Sequence, residues 1–356
     1  MATSDKEIVV SGGAGYAAVA VSESGGAIGD IEAVRARGYW ELFWIRFRRD
    51  KIAIISGIAI VVLILAAFVG APVAKHVLGH GPNQIFIGTE AVSATTLQPA
   101  GPWTTVHYTD PITAKPKTTL FVLGAANTLG QDEFLRLLYG AQVSLEVALL
   151  STLGVMIIGV MMGSIAGYFR GWSDTIISRV TEITMAFPVL LFVIALAATV
   201  GPRLDNLTFG VFGHGVLTLT FIFTMFGWFY PARIMRAQVL SIREKEYIEA
   251  ARMIGASDGR IIRSHVLPHL VAPIIVYSTL IIASYVLAEA GLSFLGLGIH
   301  PPQSSWGNLL ASAPDYYLAQ PWLMLWPGLA VLLTTLAFNL LGDGLRDSFD
   351  PRAAQH

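Results

Sequence analysis

The sequence predicts an all-α membrane protein with six transmembrane helices and a small irregular or β-containing segment outside the bilayer. The first observation is composition: 54% of the 356 residues are hydrophobic and only 13% are charged, whereas a soluble domain carries about 25% charge. The second is a set of six long windows without a charged residue. The third is an uneven distribution of Lys and Arg between the segments that join these windows. Together they exclude a disordered chain and an ordinary soluble enzyme.

Each window has the length that a helix needs to cross the hydrocarbon core, about 20 residues. Pro188 and Pro327 lie inside two of the windows, where neighbouring helices can satisfy the backbone groups that a proline leaves free. The windows are residues 52–74, 147–169, 183–202, 206–232, 270–288 and 316–342.

The distribution of Lys and Arg predicts the orientation, because bases accumulate on the cytoplasmic side. With the N-terminus inside, the inner segments hold seven, two, seven and two bases, which is 18 of the 23 in the chain. The outer segments then hold the other five. We therefore expect both termini to be cytoplasmic and the protein to be a multi-pass protein of the inner or plasma membrane.

The segments outside the windows differ in character. Residues 1–38 are rich in Gly, Ala and Ser and are interpreted as a cytoplasmic tail. Residues 39–74 combine aromatic and basic residues with the first window, which predicts an interfacial helix followed by the first transmembrane helix. Residues 75–135 are polar, with short β-prone runs such as 104–108, and form the predicted extracytoplasmic loop.

Several kinds of chemistry are disfavoured by what the sequence contains. It has no cysteine and no Walker A sequence, and its net charge of −1 does not suit a nucleic-acid binder. The Gly-rich run near Gly13 lacks the βαβ context of a dinucleotide site. His265 and His269 have the i,i+4 spacing of metal ligands, but Pro268 lies between them and no HExxH pattern surrounds them. We therefore expect no catalytic residue, metal or cofactor in this chain.

A solute pathway would be lined by the third to fifth windows. Met185, Phe187 and Pro188 lie on the apolar or weakly polar faces of these helices and are candidate lining residues. Glu289 closes the fifth window, and a carboxylate at membrane depth is either a contact in a pathway or gate or a partnered structural group. Both interpretations of Glu289 stay open at this point.

The inner segment between the fourth and fifth windows has the pattern of a short, exposed helix. Residues 242–254 are strongly helix-forming, and Gly255 provides a C-terminal stop. Glu249 offers a carboxylate for an ion pair, while Ala250 and Ala251 offer small side chains that permit close packing. The alternative is an ordinary solvated loop.

The sequence of this segment resembles the EAA loop of ABC-importer permeases. Glu249-Ala250-Ala251 is followed after three residues by Gly255, and nine further residues precede Leu267-Pro268. His265 occupies the position two residues before this Leu-Pro pair, where the family often has Ile.

Further segments make the sequence similar to the C-type membrane subunit of dipeptide and oligopeptide importers, a group that includes importers of nickel complexes. The resemblance extends from about Trp40 to Arg352. One departure is 124–132, where the family's Gly-Thr-Asp and Gly-Arg-Asp have lost an acid and a base, and another is a longer outer loop. The matching segments are 136–141, 167–174, 186–188, 292–298, 305–308 and 341–352.

The resemblance implies a type I ABC-importer permease fold. Residues 136–345 would form the core permease domain, with a cytoplasmic coupling loop at 240–268, and 346–356 would form a cytoplasmic tail. The implied partners are a sister permease subunit, two ATPase subunits that carry ATP and Mg²⁺, and an extracytoplasmic solute-binding protein. The residues expected to couple to the ATPases are Tyr247, Glu249, Ala250, Ala251, Gly255, Leu267 and Pro268.

Two other classes of protein are alternatives to a permease subunit. A self-sufficient secondary transporter or channel would need ion-coupling charges at mid-membrane and often inverted repeats, neither of which is prominent. A membrane-embedded enzyme would need clustered acids or histidines within the windows. The sequence does not identify the solute. Peptides are the favoured solute, and nickel complexes and oligosaccharides are the alternatives.

Overall fold

The structure is a computed structural model that describes residues 38–110, 114–188, 191–199 and 215–350. Helices dominate these residues, and a two-stranded antiparallel sheet is formed by β1 (Thr104–Thr109) and β2 (Pro116–Phe121). In chain order the helices are α1 (Tyr39–Phe47), α2 (Lys51–Leu78), α3 (Glu133–Phe169), α4 (Gly171–Met185), α5 (191–199), α6 (Val216–Gly227), α7 (Phe229–Arg243), α8 (Glu246–Met253), α9 (Asp258–Phe294), α10 (Trp306–Ser312) and α11 (Trp322–Phe349).

Among the described residues, four helices are long and apolar enough to cross a membrane: α2, α3, α9 and α11. They correspond to the first, second, fifth and sixth windows of the sequence. The fourth window falls partly outside the described residues, and α6 covers its middle as an apolar helix of 12 residues. The structure thus establishes a helical membrane protein with four spans of sufficient length.

The third predicted span, 183–202, is not one continuous helix. It begins on the last turn of α4, which ends at Met185, and the backbone at 186–188 is non-helical before α5 begins. The cause is Pro188, because a proline ring disfavours helical backbone at the preceding residue, Phe187. Residues 189–190 and 200–202 of this window lie outside the described residues.

The ends of the long helices follow local hydrogen-bonding rules. The Asp50 carboxylate accepts from the backbone N–H groups of Ile52 and Ala53 at the start of α2. Asp132 does the same at the start of α3, with its Oδ1 2.8 Å from the Phe134 nitrogen. An aspartate in this position satisfies N–H groups that have no partner within the helix.

The helix α3 packs against α7 through a face of small residues. Gly159, Gly163 and Gly167 repeat every four residues, so they line one side of α3. A Cβ atom at Gly163 would lie 2.5 Å from the carbonyl oxygen of Ala232. The two backbones are therefore in direct contact, as is common where small residues line membrane-helix interfaces.

Residues 75–110 and 114–135 form a compact segment around the two strands. Phe86, Val106 and Phe121 are buried in its apolar centre. His80 is also buried, and its Nε2 lies 3.0 Å from Asp132 Oδ2, at the N-terminus of α3. The same carboxylate that caps α3 thus ties this segment to the helix bundle.

The helix α1 packs on the end of α11. The rings of Phe43 and Phe349 stack with centroids 4.2 Å apart. Trp40 also contacts Phe349, with ring centroids 6.0 Å apart, and both Trp40 and Trp44 remain largely exposed. The Arg48 guanidinium lies 5.2 Å from the Trp44 ring. An amphipathic helix of aromatic and basic residues beside a spanning helix is typical of the membrane interface.

Candidate functional site

The segment 240–268 folds as a unit of three consecutive helical pieces at one end of the bundle. It contains the end of α7, the short helix α8 and the beginning of α9. The side chain of Ile248 is 0% exposed and that of Ala251 is 7% exposed, and both pack with Met235 and Val239 of α7. The helix α8 is therefore seated on the chain's own core rather than extended into solvent.

The opposite side of α8 is accessible. Tyr247, Glu249 and Ala250 are exposed. The sequence predicted that Ala250 and Ala251 would offer their small side chains together, but the structure separates them, with Ala250 outward and Ala251 inward. The reason is the helical period, which puts residue 251 on the same face as Ile248.

The helix α8 ends at Gly255 in a Schellman motif. The Ala256 N–H donates to the Ala251 carbonyl and the Gly255 N–H to the Arg252 carbonyl, both at 3.0 Å. Gly255 has a φ of +83°, a left-handed conformation that favours glycine. The sequence thus predicted both the stop and the residue that makes it.

The C-terminal end of α8 presents two exposed apolar side chains that sequence reasoning did not single out. Met253 is 82% exposed and Ile254 is 85% exposed. They lie directly before the Gly255 stop, where a helix ends and side chains point away from the core. The position of two large apolar residues immediately before a C-terminal glycine is the signal that could have identified them.

Tyr168, at the end of α3, joins three elements of the unit. Its ring is buried between the guanidinium groups of Arg243 and Arg252, which lie 5.8 Å and 5.2 Å from the ring centre. Its hydroxyl donates to Asp258 Oδ1 at 2.7 Å. A displacement of α8 or of the start of α9 therefore reaches α3 through side chains in contact.

Leu267 and Pro268 lie within a continuous helix. The helix α9 runs from Asp258 to Phe294 and includes a π-helical stretch at Ile262–Val266, directly before Leu267. Leu267 is partly buried and Pro268 is exposed. No loop therefore separates the 240–268 unit from the fifth window.

The two histidines of this region are engaged in local contacts. His269 Nδ1 lies 2.6 Å from the His265 carbonyl oxygen, and the Tyr247 ring stacks on His269 with centroids 5.8 Å apart. Among the described residues no group of three or more His, Cys, Asp or Glu side chains could hold a metal ion.

An ion pair connects α4 to α7 beside this unit. The Arg236 guanidinium donates to both carboxylate oxygens of Asp174, with the Nη2 to Oδ2 distance 2.8 Å, and Ser178 donates to the same carboxylate. The hydrogen bonds from Arg236 lower the pKa of Asp174 below its usual value, because they stabilise the charged form.

The predicted pathway residues fall into two groups. Met185, Phe187 and Pro188 are exposed on this chain. Met185 borders a cleft of about 630 Å³ that also contains Asp174 and Arg236. Phe187 lies in an aromatic cluster whose other rings belong to α5 and α6, Phe192 and Phe226.

Glu289 does not belong with these exposed residues. It is 0% exposed inside the bundle, and its oxygens accept hydrogen bonds of 2.7 Å from Ser144 of α3 and Ser293 of α9. Two hydroxyl donors offset part of the cost of burying a carboxyl group. Of the two interpretations left open by the sequence, this environment favours the partnered structural group over a lining position in the pathway.

Comparison with known proteins identifies the family. A model described as "Binding-protein-dependent transport system inner membrane component" matches residues 159–355, and one described as "N-terminal TM domain of oligopeptide transport permease C" matches 38–98. The dipeptide transport system permease protein DppC of Alkalihalophilus pseudofirmus is 41% identical over 63% of this chain and 69% of its own length. The glutathione transport system permease protein GsiD of Pectobacterium atrosepticum is 34% identical over 88% of this chain and 91% of its own length.

Among solved structures, an inward-facing form of the MetNI methionine ABC transporter aligns with a TM-score of 0.48 and 18% identity, over 60% of this chain and 96% of that one. The first family model covers more than half of this chain, and GsiD matches it over nearly its whole length. The chain therefore belongs to the family of inner-membrane components of binding-protein-dependent transport systems, as a permease subunit of an ABC importer.

Proposed function

We propose that this chain forms half of the translocation pathway of a peptide importer and is coupled to ATPase subunits through the unit 240–268. The observation that carries the coupling role is α8 itself. It is fixed to the core on one face, exposed on the other, and ends in the apolar pair Met253 and Ile254.

The proposed complex contains a sister permease, two ATPase subunits and an extracytoplasmic solute-binding protein. ATP and Mg²⁺ bind to the ATPases, and this chain has no catalytic role. In this proposal the chain has six spans, with both termini and the unit 240–268 in the cytoplasm and the strand-containing segment 75–135 outside. The 18-to-5 division of Lys and Arg supports this orientation.

Peptides are the proposed solute because the relatives named above are permeases for a dipeptide and for glutathione, a tripeptide. Nickel complexes and oligosaccharides are the alternatives. Reconstitution of the complete transporter, followed by uptake of a labelled dipeptide, a nickel chelate and an oligosaccharide, separates the three. Uptake of the dipeptide alone is expected, and uptake by this chain without its partners is not.

The coupling role is tested by replacing the exposed apolar pair, Met253 and Ile254, with polar residues. We expect Met253→Ser combined with Ile254→Ser to reduce co-purification of the ATPases at least tenfold, because each buried apolar side chain contributes about 1.5–3 kcal/mol and 1.4 kcal/mol is a factor of ten. The matched control is Leu318→Ser, an apolar residue that is 95% exposed elsewhere on the chain. Undiminished association of the double variant would contradict the docking role.

Two further variants separate docking from folding. Glu249→Ala should weaken ATPase association only slightly, since an exposed ion pair contributes little. Ala251→Trp should instead lower the yield of folded protein, because residue 251 packs inside this chain and overpacking costs about 1–3 kcal/mol.

A further inference from the structure

An open cleft of about 1030 Å³ lies at the opposite end of α3 from the coupling unit. Its walls are one face of α3, the last turn of α2, the turn at 81–84 and the residues just before α10. In the proposed orientation this cleft opens to the outside, where the solute arrives.

The cleft holds one carboxylate on its α3 wall. Tyr139, Gln142 and Glu146 are spaced by three and four residues, so they share the face of α3 that borders the cleft. Glu146 is half-buried and has no ion-pair partner within the ranges that the structure describes. A carboxylate in this state can accept hydrogen bonds from a cation that enters the cleft.

The cleft also holds one ammonium group. Lys75 comes from the last turn of α2, is exposed, and forms no ion pair with any described carboxylate. Within the described residues, Lys75 and Glu146 thus give the cleft one positive and one negative charge, on different elements. A ligand of matching chemistry carries one charge of each sign.

Amide groups supply much of the remaining polar lining, beside the hydroxyls of Tyr139 and Ser304. Gln84, Gln142 and Gln303 border the cleft, and Gln303 Oε1 is a buried atom without a hydrogen-bond partner in the described part of the chain. Buried polar atoms are normally hydrogen-bonded, so an unpaired amide oxygen at a cleft wall suits a ligand that donates an N–H.

We propose that this cleft is a receiving subsite for a short peptide with both termini free. Glu146 binds the α-ammonium group, Lys75 binds the α-carboxylate, and the glutamine amides bind the peptide bond. The inference rests on the proposed peptide transport and adds a requirement for free termini. A neutral oligosaccharide would use the amides and neither charge.

The test measures uptake of three substrates by two variants of the complete reconstituted transporter. Glu146→Gln and Lys75→Gln are compared with wild type for uptake of a free dipeptide, its N-acetylated form and its C-terminal amide. For the free dipeptide we expect each variant to raise KM about tenfold, the effect of losing one charge-assisted hydrogen bond of roughly 1.4 kcal/mol. Glu146→Gln should leave KM for the acetylated form unchanged, and Lys75→Gln should leave KM for the amide unchanged.

The controls are Asp315→Asn and Lys115→Gln, which change exposed charges that do not line the cleft. The inference is overturned if wild type accepts blocked and free dipeptides equally. It is also overturned if the cleft variants slow all three substrates alike, the result expected for a surface that contacts the solute-binding protein. Failure of the peptide assignment itself appears separately, as a wild-type transporter that imports no dipeptide.

Discussion

Asp174 and Arg236 show how a single residue pair can fix the relative position of two helices. The Arg236 guanidinium donates hydrogen bonds to both carboxylate oxygens of Asp174. The Asp174 side chain is 22% exposed and the Arg236 side chain is 34% exposed. A bidentate, partly shielded pair of this kind is stronger than the exposed pair of Arg179 and Glu182 one turn further along α4.

The lowered pKa of Asp174 makes a pH-dependent contribution to stability. A depressed folded pKa stabilises the protein above the unfolded value, about 3.9, and this contribution is lost as the pH falls through the folded value. Asp174→Asn should therefore lower stability by on the order of 1 kcal/mol at pH 5–8, and the difference from wild type should shrink below about pH 4.

Thermal unfolding followed by tryptophan fluorescence at several pH values measures this difference. Glu182→Gln is the control on the same helix, with an expected effect near zero because its pair is mostly exposed. A difference between Asp174→Asn and wild type that stays constant down to pH 3 would show that the carboxylate of Asp174 does not stabilise the fold.

At the scale of elements, the contact between α3 and α7 depends on the absence of side chains. Gly163→Ala would place a methyl group 2.5 Å from the Ala232 carbonyl oxygen, so the two helices must move apart. We expect a loss of about 1–3 kcal/mol, seen as a lower unfolding temperature and a lower yield of folded protein.

Gly291→Ala is the matched control for Gly163→Ala. Gly291 also lies inside a helix, α9, but a Cβ atom there has no neighbour within 4 Å. Because alanine favours helix more than glycine does, this variant should be neutral or slightly stabilising. Equal destabilisation by both variants would show that loss of glycine, rather than helix contact, is the cause.

The elements that the sequence predicted well are those with a strong local signal. Four windows appear as long helices, and Gly255 ends α8 where its φ of +83° requires glycine. The break at Phe187 also has a local cause, Pro188. The sequence prediction kept this proline inside a span because neighbouring helices can satisfy the backbone groups that it leaves free.

What the sequence could not provide is the partner of each side chain. The helix α8 has apolar residues on more than one side, so its pattern alone does not show that Ala251 packs inward while Met253 stays exposed. The position of Glu289 likewise depends on Ser144, which is 145 residues away in the chain. Both outcomes are decided by tertiary contacts between segments far apart in sequence.

At the scale of the whole molecule, two packed helices, α9 and α3, connect the two proposed sites. The helix α9 has 37 residues and therefore extends roughly 55 Å from the coupling unit toward the other end of the bundle. Its buried Glu289 contacts Ser144 of α3, the helix that also carries Tyr168 at one end and Glu146 near the other. Movement at α8 can thus reach the outer cleft through two packed helices.

This arrangement requires residues 94 and 257 to lie on opposite sides of the membrane. The chain has no cysteine, so a single introduced cysteine is the only thiol of this chain that a reagent can label. Ala94→Cys and Ser257→Cys replace exposed residues of the strand-containing segment and of the turn before α9. With an impermeant maleimide on intact cells we expect labelling of Ala94→Cys alone, because the division of Lys and Arg places residue 257 in the cytoplasm.

Permeabilised cells, in which both variants should react, provide the control for thiol reactivity. Labelling of Ser257→Cys in intact cells would overturn the orientation, and with it the assignment of α8 to the ATPase side and of the cleft at Glu146 to the solute side.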